Sequence, residues 1–270
     1  MCIAALAMYM GTLMLEVTHV SKVYTGIPAV DDVSFQIAPG EIVGFIGPNG
    51  AGKSTTVKMI TGMVQPTRGR VLFEGAPILD DLLSFRAHLG YVPEEAHLYP
   101  HLSGLEHLQL VGRLRRIGER LLLKRSTMLL EQMGLDSWRH TPISLYSKGM
   151  KQRILLATAI LHNPRLIILD EPLSGLDVVT AQIFRDLLTE LAADGKAILY
   201  ISHVLEIVEK VCDRVLVIAK ARLRADAPPQ ALCKDLKLPD LQSVFAALSE
   251  QEDTRVTARK MVEAMHANAV

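Results

Sequence analysis

The sequence predicts an α/β fold with a parallel-sheet core, an N-terminal antiparallel β layer and an inserted helical subdomain. Residues 15–47 carry β-branched runs broken by proline and glycine, a pattern typical of strands. Residues 103–162 space leucines and basic residues three or four apart, which is typical of helices. Beyond residue 165, apolar runs alternate with helical patterns, and this alternation indicates a parallel sheet covered by helices.

These patterns divide the chain into three parts. Residues 1–13 are apolar but lack a basic N-terminal region, so we expect an over-long start or a loose extension rather than a secretory signal. The main domain is expected over residues 14–225, with the helical subdomain at about 95–162. Residues 226–270 are expected to form a C-terminal helical extension. Its apolar stripe, which either docks on the domain or forms a dimer contact, consists of Leu241, Val244, Phe245 and Leu248.

Composition narrows the class of protein. Lys plus Arg equals Asp plus Glu at 29 each, so the chain lacks the basic excess of a broad nucleic-acid-binding surface. No apolar run reaches the roughly 18 residues that a membrane-spanning helix needs. The three cysteines are scattered and form no paired motif, which suits a reducing cytoplasm.

A phosphate-binding loop is predicted in "GFIGPNGAGKST", which contains the pattern G-x-x-x-x-G-K-S between an apolar strand and a helix. Small residues let successive N–H groups turn toward an anion, and the helix N-terminus adds its dipole. Lys53 is predicted to reach the β- and γ-phosphates, and Ser54 to bind Mg²⁺. The predicted nucleotide-binding residues are Gly47, Pro48, Asn49, Gly50, Ala51, Gly52, Lys53, Ser54 and Thr55.

Two carboxylates end a later apolar strand, "RLIILDEP". Because the carboxyl ends of parallel strands face the ligand crevice, Asp170 is predicted to hold Mg²⁺ through water. Glu171 is predicted to accept a proton from the attacking water. No N-K-x-D motif for reading guanine occurs, which disfavours GTP as the substrate.

A second anion site is predicted in "SLYSKGMKQR", where Ser147 can cap a helix and Gly149 lets the backbone approach closely.

Together, these motifs resemble the ATP-binding cassette family in their order from about Leu15 to Ala225. Ser147 and Gly149 match the family's signature loop, usually L-S-G-G-Q. The resemblance implies that two domains pack head-to-tail and that each signature loop closes the ATP site of the other. Lys148, which replaces a glycine, either adds a cation or points into water.

The resemblance assigns further residues. His203 lies at the position of the switch histidine, and Leu173–Asp177 matches the D-loop. Tyr24 matches the aromatic residue that stacks on adenine, although a tyrosine at a strand edge is the alternative. Glu94 replaces the usual glutamine, and we expect it to bind the Mg²⁺ of Mg²⁺–ATP, since a carboxylate is the stronger ligand.

The function implied is that of an ATP-hydrolysing subunit of a membrane transporter, dependent on ATP and Mg²⁺. Its expected partners are a multi-span permease, near Tyr99 and Leu102, and a second nucleotide-binding subunit, identical or not. The local motifs favour an exporter at the cytoplasmic face of a bacterial membrane. One alternative is a non-transport cassette ATPase acting on nucleic acid or ribosomes, which the neutral charge disfavours. The other is a weakly hydrolysing regulatory module, disfavoured by Glu171 and His203 but left open by Glu94.

Overall fold

The computed structural model describes residues 13–95, 97–173 and 178–249, together with Arg259, Val262, Glu263 and Met265. The predicted fold class is confirmed, because a mainly parallel sheet and an antiparallel sheet are both present. The described strands are β1 (Leu15–Tyr24), β2 (Ile27–Ile37), β3 (Ile42–Ile46), β4 (Arg68–Phe73), β5 (Ala76–Pro77), β6 (Leu89–Val92), β7 (Leu166–Asp170), β8 (Ala197–Ile201), β9 (Arg214–Ala219) and β10 (Arg222–Ala227).

The strands form two sheets. The antiparallel sheet has the order β2-β1-β4-β5, and the larger sheet has the order β10-β9-β3-β8-β7-β6. Every pairing in the larger sheet is parallel except that of β10 with β9. The central strands β3, β7 and β8 are buried along their whole length, which explains why they appear in the sequence as continuous apolar runs.

Helices cover the larger sheet and form the inserted segment. They are α1 (Lys53–Ile60), α2 (Leu82–Ala87), α3 (Gly104–Leu114), α4 (Glu119–Gln132), α5 (Lys148–Ile160), α6 (Val178–Ala193), α7 (Leu205–Val211), α8 (Pro229–Leu236) and α9 (Leu241–Ser249). Ser103 begins α3 with a capping box, in which its hydroxyl accepts from the Glu106 backbone N–H while the Glu106 carboxylate accepts from the Ser103 N–H. Among the described helices, none is both long enough and apolar enough to cross a membrane.

Among the described residues, three hydrophobic clusters hold these layers together. One, which includes Phe35 and Phe45, lies between the two sheets and α1. The second lies on the opposite face of the larger sheet, where Phe184 of α6 and Val244 of α9 are buried. The third joins α3, α4 and α5. The predicted phosphate-binding loop follows β3, a fully buried strand in the middle of the larger sheet.

Helix α9, near the C-terminus, docks on the domain of its own chain. Leu241 and Val244 of α9 are fully buried, and Phe245 and Leu248 pack beside them. The predicted apolar stripe therefore covers the larger sheet near β9. Strand β10 continues past residue 225, where the sequence placed a domain limit, because its last residues remain paired with β9.

Candidate functional site

The phosphate-binding loop joins β3 to α1 at the edge where the parallel strands end. Gly52 precedes α1 with a φ of 112° and offers no side chain to cap the helix. A Cβ atom on Gly47 would lie 2.4 Å from the Ile218 carbonyl oxygen, and one on Gly52 would lie 2.5 Å from that of Ala29. Both positions therefore require glycine, and the first N–H groups of α1 remain available to an anion.

The Lys53 side chain folds back over this loop. Its ammonium group donates to the carbonyl oxygens of Gly47, at 2.6 Å, and Pro48, at 3.2 Å. Burial lowers the pKa of Lys53, while the negative charges of Glu171, Asp170 and Glu94 oppose that shift. The loop thus holds its cation within the electrostatic reach of three carboxylates.

Two carboxylates follow one another at the end of β7. Asp170 is 8% exposed, and burial, with help from Glu94 and Glu171, raises its pKa to about 6. Glu171 has a φ of 51°, and its backbone N–H donates to Ile201 of β8 at 3.0 Å. This contact ties the backbone of Glu171 to the end of β8.

Glu171 is held by two neighbours from the end of β8. Its Oε1 lies 2.8 Å from the His203 Nδ1, and its Oε2 accepts from the Ser202 hydroxyl at 3.3 Å. The His203 side chain is 76% exposed, whereas that of Glu171 is only 13% exposed. The pair can therefore present a fixed carboxylate to water inside the cleft while the imidazole reaches toward a bound group.

These elements enclose a cleft of about 500 Å³. The cleft is lined by Ala29, Asn49, Gly50, Gly52, Lys53, Ser54, Thr55, Glu94, Asp170, Glu171 and His203. The volume lies within the range of small-molecule sites. The structure thus brings the phosphate-binding loop together with all three predicted carboxylates and the predicted histidine.

The donors in the cleft fit a hard cation such as Mg²⁺. Ser54 supplies a hydroxyl, and Asp170 and Glu94 supply carboxylates, all of which are oxygen ligands. Within the described residues, no three acidic, histidine or cysteine side chains converge closely enough to hold a metal by themselves. Mg²⁺ usually takes one or two carboxylates and completes its shell with phosphates and water, so the protein oxygens that line the cleft suit this ion.

The three predicted nucleotide-binding residues that are not part of the phosphate-binding loop do not line this cleft. Ser147 caps α5, where its hydroxyl accepts from the Met150 N–H at 3.2 Å, and Gly149 lies in the first turn of that helix. Tyr24 is 44% exposed at the end of β1, with the Lys22 ammonium 5.3 Å from its ring centre. Gly47, Pro48 and Ala51 belong to the loop but do not line the cleft. Of the predicted D-loop, Ser174–Asp177 fall outside the described residues.

Sequence reasoning missed two neighbours of the carboxylates. Ser202, which bonds Glu171, follows a buried strand just before His203, and that position was a usable signal. Tyr91 of β6 was not identifiable from a motif. Burial raises its pKa to about 12, with help from Asp170 and Glu94, so the phenol stays protonated beside the carboxylates.

Comparison with known proteins identifies related chains. Residues 30–174 match the protein family described as ABC transporter. The Nod factor export ATP-binding protein I of Rhizobium johnstonii is 38% identical over 221 residues, which are 82% of this chain and 71% of that protein.

Solved structures have the same fold. An ATP-binding subunit of an ABC transporter superposes with a TM-score of 0.83 at 33% identity, over 87% of this chain and 99% of that one. A dimeric ATP-binding cassette in a post-hydrolysis state, bound to ADP and Pi, superposes with a TM-score of 0.75 at 27% identity, over 80% and 98% of the two chains.

Proposed function

The chain belongs to the ABC transporter family, as an ATP-binding and ATP-hydrolysing subunit, and from this premise we propose that it drives an exporter by closing head-to-tail around two Mg²⁺–ATP. One observation carries the proposal. The cleft holds Lys53, Asp170 and Glu171, whereas Ser147 and Gly149 begin a helix outside it. A cleft that lacks its second anion-binding element in one chain is completed when another chain supplies that element.

Within one chain, the loop and Lys53 bind and orient the phosphates. The N–H groups of α1 and the Lys53 ammonium meet the negative charge that phosphoryl transfer redistributes. Ser54 and Asp170 would hold Mg²⁺, which when bound neutralises phosphate charge. Tyr24 is proposed to stack on the adenine ring from the exposed end of β1.

Glu171 is proposed to orient and deprotonate the attacking water. Its carboxylate is held by Ser202 and His203, so it does not need to reorganise when water arrives. His203 is exposed enough to contact the γ-phosphate while keeping its contact with Glu171. The proton leaves the water for the Glu171 carboxylate.

Glu94 is proposed to bind Mg²⁺ more strongly than the usual glutamine would. In a Glu94→Gln variant we expect the Mg²⁺ concentration for half-maximal ATP hydrolysis to rise about fivefold, equivalent to about 1 kcal/mol of metal binding. The measurement is a Mg²⁺ titration of ATPase rate at saturating ATP. Glu95→Gln, which removes an exposed neighbouring charge, is the matched control. An unchanged titration in the Glu94 variant would rule out the ligand role.

The proposed partner is a multi-span permease, which would place the chain at the cytoplasmic face of a bacterial membrane. Tyr99 is 57% exposed, and Leu102, whose N–H donates to the Tyr99 carbonyl oxygen, is partly exposed. Apolar surface of this kind suits contact with a helix of another subunit. Export is proposed because the Rhizobium relative is named for export. Copurification with the product of an adjacent gene that encodes several apolar segments tests this partner.

The head-to-tail arrangement is tested at Ser147. Asp and Asn cap helices about equally well, so Ser147→Asp and Ser147→Asn both keep the start of α5, but only the first places a negative charge against the γ-phosphate of the other chain. In a Glu171→Gln background with ATP and Mg²⁺, we expect light scattering to show dimers for the Asn variant and monomers for the Asp variant. A hydrolysis-dead chain that stays monomeric, both alone and with a co-expressed second cassette, would contradict the proposal.

A further inference from the structure

A second concave surface lies on the face of the larger sheet that the helices cover. This α5/α6 groove is bounded by α4, α5 and α6 and encloses about 540 Å³. Its walls are mainly apolar. They include Leu156 and Ile160 of α5 and Ile183, Phe184 and Leu187 of α6. Ile183 is 57% exposed, so the groove presents apolar surface large enough for several side chains of an occupant.

The rim of the groove is acidic along α6. Asp186 and Glu190 lie one helical turn apart and both line the groove. The cation on the α5 side, Arg153, is already engaged, because its guanidinium donates to the Met133 carbonyl oxygen at 2.8 Å. An occupant with an apolar face and basic flanks would therefore complement this surface.

The same chain carries such a segment beyond α9. Residues 255–265 read RVTARKMVEAM, with apolar residues at i, i+3, i+4 and i+7 and three basic residues beside them. Val262 and Met265 belong to the apolar stripe and are 52% and 83% exposed. The stripe thus has apolar area to bury, at about 25 cal/mol for each Å² removed from water.

The segment can reach the groove of its own chain. Helix α9 ends at Ser249 and packs near β9. The groove is bounded by α6, which contacts β8, and by α5, which contacts β6. Strand β7 lies between β8 and β6 and is three strands away from β9 in the order β9-β3-β8-β7. Three strand spacings amount to about 14 Å. The five residues 250–254, which join α9 to this segment, span up to about 17 Å when extended.

We propose that residues 255–265 dock as a helix into the α5/α6 groove of the same chain. Val262 and Met265 pack on the apolar walls, and the basic residues of the segment lie beside Asp186 and Glu190. Helix α5 begins beside Ser147, and Pro172, next to Glu171, lines the groove. The docked segment would therefore contact both helices that follow catalytic or signature residues.

Cysteine cross-linking tests the docking in the full-length protein. Ile183→Cys combined with Val262→Cys is expected to form an intrachain disulfide under mild oxidation at least fivefold faster than two control pairs. The first control pair is Thr189→Cys with Val262→Cys, since Thr189 is exposed on α6 but does not line the groove. The second control pair is Ile183→Cys with Glu263→Cys, since Glu263 would lie on the helix face away from the apolar stripe. Equal rates in all pairs, or cross-links only at the mass of a dimer, would overturn the proposal.

Hydrogen exchange provides a readout without cysteines. The double variant Val262→Asp, Met265→Asp alters only exposed side chains and should fold normally. We expect peptides from α5 and α6 to exchange severalfold faster than in the wild type, while Glu263→Gln leaves them unchanged. Unchanged exchange in the double variant would also refute the docking. Neither readout uses ATP hydrolysis, so the result is independent of the proposed transport function.

Discussion

Replacement of Glu171 by glutamine is expected to lower the rate of ATP hydrolysis by about 10²- to 10³-fold while leaving ATP binding intact, which is the range for loss of a general base. Glutamine is close in size and keeps a side-chain oxygen for the Ser202 hydroxyl, but it cannot take a proton from water. Because Glu171 already adopts a positive φ of 51°, the substitution introduces no backbone strain that the wild type lacks. The measurement pairs steady-state ATPase rate with equilibrium binding of a fluorescent ATP analogue.

The control for this variant is Glu206→Gln, an exposed carboxylate in the first turn of α7. Its rate should stay within about twofold of the wild type, since surface changes of this kind are nearly neutral. The ATP hydrolysis rate of Ser202→Ala is expected to lie between the rates of these two variants. The substitution removes one contact that holds the Glu171 carboxylate but leaves the contact with His203 in place. A Glu171→Gln variant that hydrolyses ATP normally would assign proton transfer to another group.

The residues of the cleft could be predicted from the sequence where a short segment determines the position of a side chain at a strand end. The G-x-x-x-x-G-K-S loop and the apolar run before Asp170 each specify a strand end, and parallel strands bring such ends to one edge. That reasoning placed Lys53, Asp170 and Glu171 together. Glu94 follows β6, which pairs with β7, so its position in the cleft results from the same edge.

The remainder depends on long-range packing that no short pattern encodes. The alternation of strands and helices predicted a parallel sheet, but not that β3 lies between β9 and β8. The contact of Ser202 with Glu171 depends on the pairing of β8 with β7, and the pKa of Asp170 depends on its burial. The roles of Ser147 and Tyr24 stay predictions, because one chain does not bring either residue into the cleft.

The raised pKa of Asp170 predicts opposite effects of one substitution on stability and activity. In the folded, metal-free protein this pKa is about 6, above its ordinary value of 3.8. A carboxyl group with a raised folded-state pKa favours folding when protonated. Its contribution is therefore present below pH 3.8 and is lost as the pH rises through about 6. At pH 7.5 the buried charge destabilises the metal-free fold.

Asp170→Asn should therefore stabilise the metal-free protein at pH 7.5 by about 3 kcal/mol, since each unit of pKa shift corresponds to about 1.4 kcal/mol. Thermal unfolding in EDTA should show a higher Tm for the variant at pH 7.5 and a smaller difference near pH 4. The matched control is Asp235→Asn, which replaces an exposed carboxylate on α8. This control should leave the Tm unchanged both at pH 7.5 and near pH 4.

With Mg²⁺ and ATP present, we expect the wild type to be more stable than the Asp170→Asn variant. The wild type gains stability from a ligand that binds only the folded state, whereas the variant has lost the carboxylate proposed to hold the metal. ATP hydrolysis should fall by about 10²-fold or more, because phosphoryl transfer depends on neutralising phosphate charge at this position. If the variant is stabilised in EDTA and still hydrolyses ATP, Asp170 is not needed to bind Mg²⁺. One that loses stability in EDTA would show that the charge of Asp170 supports the fold, since Asn keeps its size but not its charge.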